Sequence, residues 1–315
     1  MLLYIAKRFL LWIPSVLLVL LGVYALAFYG AGDPIKLIFL REPGSVAFDP
    51  SRIDAIREAA GLNRPFIEQF ASYVWNVLHG DFGNSLLSGR SVGRSLAAAA
   101  PVSIQLGLLA IALTAIIAIP LGVIAALRQN TALDYAILGT ALFVWAIPAY
   151  VAGPMLMLLL ILVLPSGGVP YGWGGIFDVR VILPLIVLAT HPIALIVRQT
   201  RSAVIEVLSE DFVRTARAKG LPAREVVIRH ILRPVLTPVI TQLGLITITL
   251  VNGAIFVELV FGLPGLGRLT VQALLNSDYP VILAVTLITS GMVMLANLLI
   301  DLAYPLLDPR AADKR

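Results

Sequence analysis

The stretch Pro101–Leu127 reads PVSIQLGLLAIALTAIIAIPLGVIAAL and contains no ionisable side chain. At 1.5 Å per residue, a helix of this length crosses the ~30 Å hydrocarbon core of a bilayer with residues to spare. The alternation of apolar and polar residues that marks a barrel strand is absent. Backbone N–H and C=O groups find no water in hydrocarbon, so the stretch is read as a transmembrane helix. The whole chain agrees: of its 315 residues 59% are hydrophobic and 13% charged, and mean hydropathy is +0.94. A soluble protein needs polar residues to cover its outside, which sets aside an unusually apolar soluble domain.

Five further runs of this kind flank the first, at about Phe9–Tyr29, Tyr135–Leu164, Val181–Val197, Val235–Val260 and Val281–Tyr304. The expected fold is an all-α polytopic membrane protein with six transmembrane helices. Residues 1–30 form the first helix, 31–100 a folded helical extracytoplasmic loop, 101–304 a five-helix core and 305–315 a tail. Within the core, residues 198–234 form a charged loop between the fourth and fifth helices. Pro14, Pro120, Pro148, Pro154, Pro184, Pro192 and Pro238 fall inside spans and predict kinks. Lys7-Arg8, an apolar run and Ala25-Leu26-Ala27 imitate a secretory signal. The run Phe9–Phe28 nevertheless exceeds the ~7–15 residues of a signal core, so an uncleaved helix is expected.

Lysine and arginine set the orientation. With the N-terminus inside, the internal segments hold Lys7, Arg8, Arg128, the arginines from Arg198 to Arg233, and Arg310, Lys314 and Arg315. The short outer loops hold only Arg180 and Arg268. The long outer loop carries seven basic and seven acidic residues, and long loops escape the rule. Both termini are expected in the cytoplasm. In the outer loop, Asp49-Pro50 and Asn63-Arg64-Pro65 read as helix starts, the second leading Phe66, Phe70, Val74 and Val77 at helical spacing.

The internal loop contains EDFVRTARAKGLPAREVVIRH, Glu210–His230, with eight charged side chains in a chain otherwise poor in charge. Ser209 is the expected N-cap of a short helix, and Glu210 and Asp211 suit the positive end of its dipole. Ile205, Leu208, Phe212 and Ala216 supply an apolar stripe, and Gly220 suits the left-handed position past the last turn. Pro222 fits the start of the next helix. A merely positive-inside loop explains the arginines but not this amphipathic order. A docking surface for a soluble partner explains both.

The run resembles the signature loop of ABC-transporter permeases, and within that family it is similar to the "B" subunit type of the dipeptide/oligopeptide/nickel branch. EDFVRTARAKG, VVIRHILRP, LVFGLPGLGRL, DYP at Asp278–Pro280 and DLAYPLLDPR carry the resemblance. GLNRPFIEQF, HGDFGNSL and PLGVIAAL extend it over nearly the whole chain. Arg214-Thr215-Ala216 stand where the general signature has Glu-Ala-Ala, Arg233-Pro234 shift its closing proline, and Ser91 replaces a proline of the outer loop. These departures leave the transporter subtype open.

The resemblance implies an importer of di- or oligopeptides in a bacterial or archaeal cytoplasmic membrane, with relatives that carry nickel chelates, glutathione or oligosaccharides. It implies a homologous "C"-type permease, two ATP-binding subunits and an extracytoplasmic substrate-binding protein as partners. The ATPase-coupling segment then comprises Glu206, Glu210, Asp211, Arg214, Thr215, Ala216, Arg217, Lys219, Gly220, Leu221 and Pro222.

Catalysis is not expected of this chain. Gly262-x4-Gly267-Arg268 lacks the Lys and Ser/Thr of a phosphate loop and follows a membrane span, so it reads as a turn. Cysteine is absent and His79, His191 and His230 fall in separate regions, so neither a cofactor nor a metal site is expected. Of the polar groups in or near spans, His191, Asn252 and Glu258 are candidate pore residues. Asn297 and Asp301 join them as helix-packing or interfacial groups. The basic loop lacks the stacking aromatics of a nucleic-acid binder, and its anionic partner is lipid or protein. A stand-alone secondary transporter is the alternative, although no internal repeat supports it. A membrane-embedded enzyme lacks a convergent catalytic set.

Overall fold

The computed structural model describes residues 2–30, 63–163 and 171–307; the side chains of 2–9, 27, 30, 248, 249, 251–253 and 300–307 lie outside that description. Helix α1 (Leu2–Ala25) continues as a π-helical turn, Leu26–Gly30. There follow α2 (Phe66–Leu78), α3 (Val92–Leu127), α4 (Ala132–Ala146), α5 (Ala149–Val163), α6 (Ile182–Leu208) and the short α7 (Asp211–Ala218). A helical turn, Ala223–Glu225, and a π-helical stretch, Val226–Ile231, lead into α8 (Leu232–Phe261), then α9 (Leu266–Leu275) and α10 (Tyr279–Leu307). The expected helix after Asp49 lies outside the described residues.

Three helical segments are long and apolar enough to cross a bilayer: Val92–Leu127, Val179–Leu208 and Tyr279–Leu299. Two bent pairs bring the total to five if each counts as one span: α4 with α5, and Ala254–Phe261 with α9. The third expected span, Tyr135–Leu164, is therefore not one rod. It bends by 96° between α4 and α5. The cause is local: Pro148 has no N–H to continue the ladder and pushes the residue before it out of helical geometry. Ile147 accordingly sits at φ −88° and ψ 113°. The Pro148 carbonyl restarts the ladder by accepting from the Val151 and Ala152 amides, each at 2.9 Å. The expected turn after the fifth span also contains more than a turn, because α9 occupies Leu266–Leu275.

The chain divides into two compact units. In the first, residues 1–101 with 264–294, Tyr24 of α1 stands edge-on to Phe66 and Phe70 of α2 at centroid distances of 5.7 and 5.5 Å. Helix α2 begins where Asn63-Arg64-Pro65 predicts. A buried cluster gathers Val92, Leu96 and Ala99 of α3 with Leu266, Ala273, Val281, Ala284 and Val285.

The second unit, residues 102–263 with 295–315, is built around α6, which packs against α4, α5 and α8. Buried residues recur on most sides of α6, from Val187 and Leu188 through Ile196 and Val197 to Ala203 and Val204. In hydrocarbon these contacts are held by close packing, since lipid tails are as apolar as leucine. The tightest lies at Gly122 of α3, where an added Cβ would fall 2.5 Å from Thr200 Cβ and 2.8 Å from the Val197 carbonyl oxygen. The outward residues are apolar too, Leu108, Ile116, Leu158 and Leu162 among them, as a lipid-facing surface requires.

Replacing Gly122 with leucine is expected to lower the thermal unfolding midpoint of the purified protein, through an overpacking cost of about 1–3 kcal/mol. Gly139→Ala in α4, with open space around the added Cβ, should hold or raise the midpoint.

Candidate functional site

The charged elbow is built by the way α6 ends. The Ser209 amide donates to the Glu206 carbonyl at 3.1 Å, and its hydroxyl donates to the same oxygen at 2.7 Å. Ser209 thus closes α6 rather than capping α7, contrary to its expected role. The N-cap is Glu210, extended at φ −72° and ψ 146°, whose side chain makes no capping bond. The serine oxygen could accept from the free amides that open α7 or its hydroxyl could donate to the free carbonyls that close α6, and it does the latter.

Helix α7 turns Val213 and Ala216 inward, with exposures of 0% and 4%. Phe212, expected on the apolar stripe, instead stands 45% exposed. Asp211, Arg214, Thr215, Arg217 and Lys219 face outward beside it. The Asp211–Arg214 pair, at 3.4 Å and almost fully solvated, holds little energy and leaves both groups available to a partner. Among the described residues Arg217, Lys219 and Arg224 form no ion pair. The exposed face therefore carries one aromatic ring, the cationic groups of Arg214, Arg217 and Lys219, and the carboxylates of Glu210 and Asp211.

A Schellman motif ends the helix. Gly220 donates to the Arg217 carbonyl at 2.9 Å and Leu221 to the Ala216 carbonyl at 3.4 Å, with Gly220 at φ +78°. Nothing lies within 4 Å of a Cβ built on Gly220, so the backbone, not crowding, demands glycine. Pro222 precedes the following helical turn instead of sitting inside it, and its carbonyl accepts from the Glu225 and Val226 amides. Val226 and Ile231 then return the chain to the core. The coupling candidates from Glu206 to Pro222 thus form one continuous helix end, helix and turn.

The pore candidates are not brought together. His191 lines a cavity of about 410 Å³ with Trp145, Pro148, Tyr150 and Pro192, its ring 6.3 Å from that of Trp145. Glu258 is not among the residues lining that cavity. It is fully buried and accepts a hydrogen bond from the Ser103 hydroxyl at 2.6 Å. The Asn252 side chain lies outside the described residues. Gly262, the first glycine of the rejected phosphate-loop pattern, is the left-handed C-cap of α8 at φ +68°.

Two polar contacts were not anticipated. In the first unit Asp278 accepts from the Ser85 hydroxyl at 2.5 Å and the Leu86 amide at 3.1 Å, so two of the family motifs, HGDFGNSL and DYP, meet. In the second, Arg201 grips Asp134 through both carboxylate oxygens, each at 2.7 Å. In sequence Asp134 is distinguished only as the acidic residue in the first turn of α4.

A family model for "Binding-protein-dependent transport system inner membrane component" matches residues 118–313. The oligopeptide transport system permease protein OppB of Salmonella typhimurium is 37% identical over 314 residues, covering 98% of this chain and 99% of that protein. The dipeptide transport system permease protein DppB of Escherichia coli K12 is 36% identical over 343 residues, covering all of both. Among solved structures, a chain of the MetNI methionine ABC transporter in an inward-facing form aligns with a TM-score of 0.58 at 16% identity, covering 68% of this chain and 96% of that one. A chain of an amino acid ABC transporter with histidines aligns at 0.52 and 14%, covering 67% and 93%. At such identities these two share the fold.

Replacing Gly220 with alanine is expected to cost about 1–2 kcal/mol of left-handed strain. Hydrogen exchange at the Gly220-position and Leu221 amides should then quicken about tenfold. Gly220→Asn, which tolerates that backbone region better, should move them less.

Proposed function

We propose, because this chain belongs to the binding-protein-dependent transport system inner membrane components and is a permease subunit of a binding-protein-dependent ABC importer, that it carries di- or oligopeptides through a pore shared with a homologous second permease. Full-length relatedness to an oligopeptide and a dipeptide permease supports the cargo. The chain is the membrane component and not the ATPase. Membership of this family sets aside a lone secondary carrier.

The observation that carries the coupling reading is α7. It is an eight-residue helix pinned by Val213 and Ala216, and it presents Phe212, Arg214, Arg217 and Lys219 outward. An element anchored on one side and charged on the other moves as a unit when a partner pulls it. In this reading one of two ATP-binding subunits grips α7, and closure of their dimer tilts α6 and α8. An extracytoplasmic binding protein delivers the peptide to the opposite face. Six spans with both termini in the cytoplasm complete the scheme, counting α1 with the three long helices and two bent pairs. The positive-inside asymmetry supports that orientation.

Reconstitution of the complete transporter tests the assignment. Gly220→Trp, whose side chain enters open space on the docking face, should abolish transport while the protein remains membrane-inserted. The paired reversal Arg214→Glu/Arg217→Glu should do the same. Normal peptide uptake by both variants would remove α7 from the coupling path.

A further inference from the structure

Arg201 lies on α6 within two turns of the elbow, and Asp134 lies at the third position of α4. The two meet side-on: Nε donates to Oδ1 and Nη2 to Oδ2, both at 2.7 Å. The Asn130 amide adds a third bond to Oδ2 at 2.9 Å. Asn130 itself is left-handed, at φ +63°, in the reversal joining α3 to α4. The Thr131 hydroxyl closes that reversal on the Arg128 carbonyl at 2.6 Å. Next to Arg201 and one turn back along α6, Thr200 and Val197 press on Gly122 of α3 with no room for a Cβ. At one level, then, α6 is locked to α3 by packing and to α4 by charge.

The Asp134 side chain is fully buried and that of Arg201 is 20% exposed. A buried ion pair is a poor device for stability alone, since apolar residues of similar volume commonly serve as well or better. What the bidentate pair adds is direction: two parallel bonds fix the angle and register of the groups they join. Beyond the pair, α6 runs unbroken to Leu208 and, through Ser209 and Glu210, into α7. On the other side α4 runs to Ala146 and stops at the 96° bend.

We propose that the Asp134–Arg201 pair is the positioning strut of the coupling step, handing movement of α7, received through the end of α6, to the α3–α4 hairpin. The elbow, the end of α6 and α4 travel as one body, and the chain flexes at the Ile147–Pro148 break. This rests on the reading of α7 as the ATPase-gripped segment.

The test uses the complete transporter in proteoliposomes, with two variants. Arg201→Lys keeps the charge and loses the fork. Asp134→Leu/Arg201→Met replaces the pair with apolar packing, which should keep the protein folded. Both are expected to assemble and to hydrolyse ATP in response to loaded binding protein, while peptide transported per ATP falls about tenfold. The chain has no cysteine, so spin labels at Ala218→Cys and Tyr135→Cys report one distance. That distance should stay constant between nucleotide-free and ATP-bound states with the pair intact, and vary between them in Arg201→Lys. An apolar pair that transports at the original ratio overturns the strut, as does failure of both variants to assemble, which would make the pair fold cement. Gly220→Trp separates the two readings. If it and the Arg214→Glu/Arg217→Glu reversal both transport normally, the elbow assignment fails. If it is uncoupled while both strut variants remain coupled, only the strut fails.

Discussion

A backbone carbonyl left unbonded in hydrocarbon costs several kcal/mol, and this constraint governs where each long helix of the chain is allowed to stop. The break between α4 and α5 recovers part of the bonding it interrupts. The Ile147 amide reaches back to the Val144 carbonyl, and the Pro148 carbonyl accepts two amides of the next helix. The end of α8 is closed likewise. Leu263 donates to the Glu258 carbonyl at 2.8 Å, and the Gly172 amide reaches the Phe261 carbonyl at 2.9 Å. At both interruptions local backbone bonds thus replace part of the helical ladder that is lost.

Arginine is used in two opposite ways within one stretch of chain. Arg201 is drawn inward onto a buried carboxylate and has its fork filled. Arg214, Arg217 and Arg224 stand in solvent with their donors uncommitted or shared with an exposed neighbour. The first use fixes geometry, and the second offers binding capacity. The transition between them takes place at Ser209, where α6 ends. A loop selected only for positive charge would have no reason to sort its arginines in this fashion.

Much of this was legible in the amino-acid order. Apolar runs announced the helices, Asn63-Arg64-Pro65 announced α2, and Gly220 announced the left-handed terminus, because each signal is local. Direction along helix faces was less legible. Spacing alone places Phe212 inward, but the packing of Val213 and Ala216 decides the rotation of so short a helix. Ser209 looked like an N-cap because its side chain suits that role, and only the fold reveals which helix end it serves. The Asp134–Arg201 and Ser85–Asp278 contacts join residues 67 and 193 positions apart, and no single-chain periodicity encodes such a meeting.

The left-handed turn at Gly220 carries a stereochemical corollary. Its surroundings leave room for a side chain but its backbone refuses the L configuration, so the position is selected by handedness and not by volume. A D-alanine placed there by chemical ligation would occupy the vacant space with its backbone relaxed, and would restrict the unfolded chain more than glycine does. The end of the elbow is in that sense a mirror-image site within an otherwise L-built helix pair.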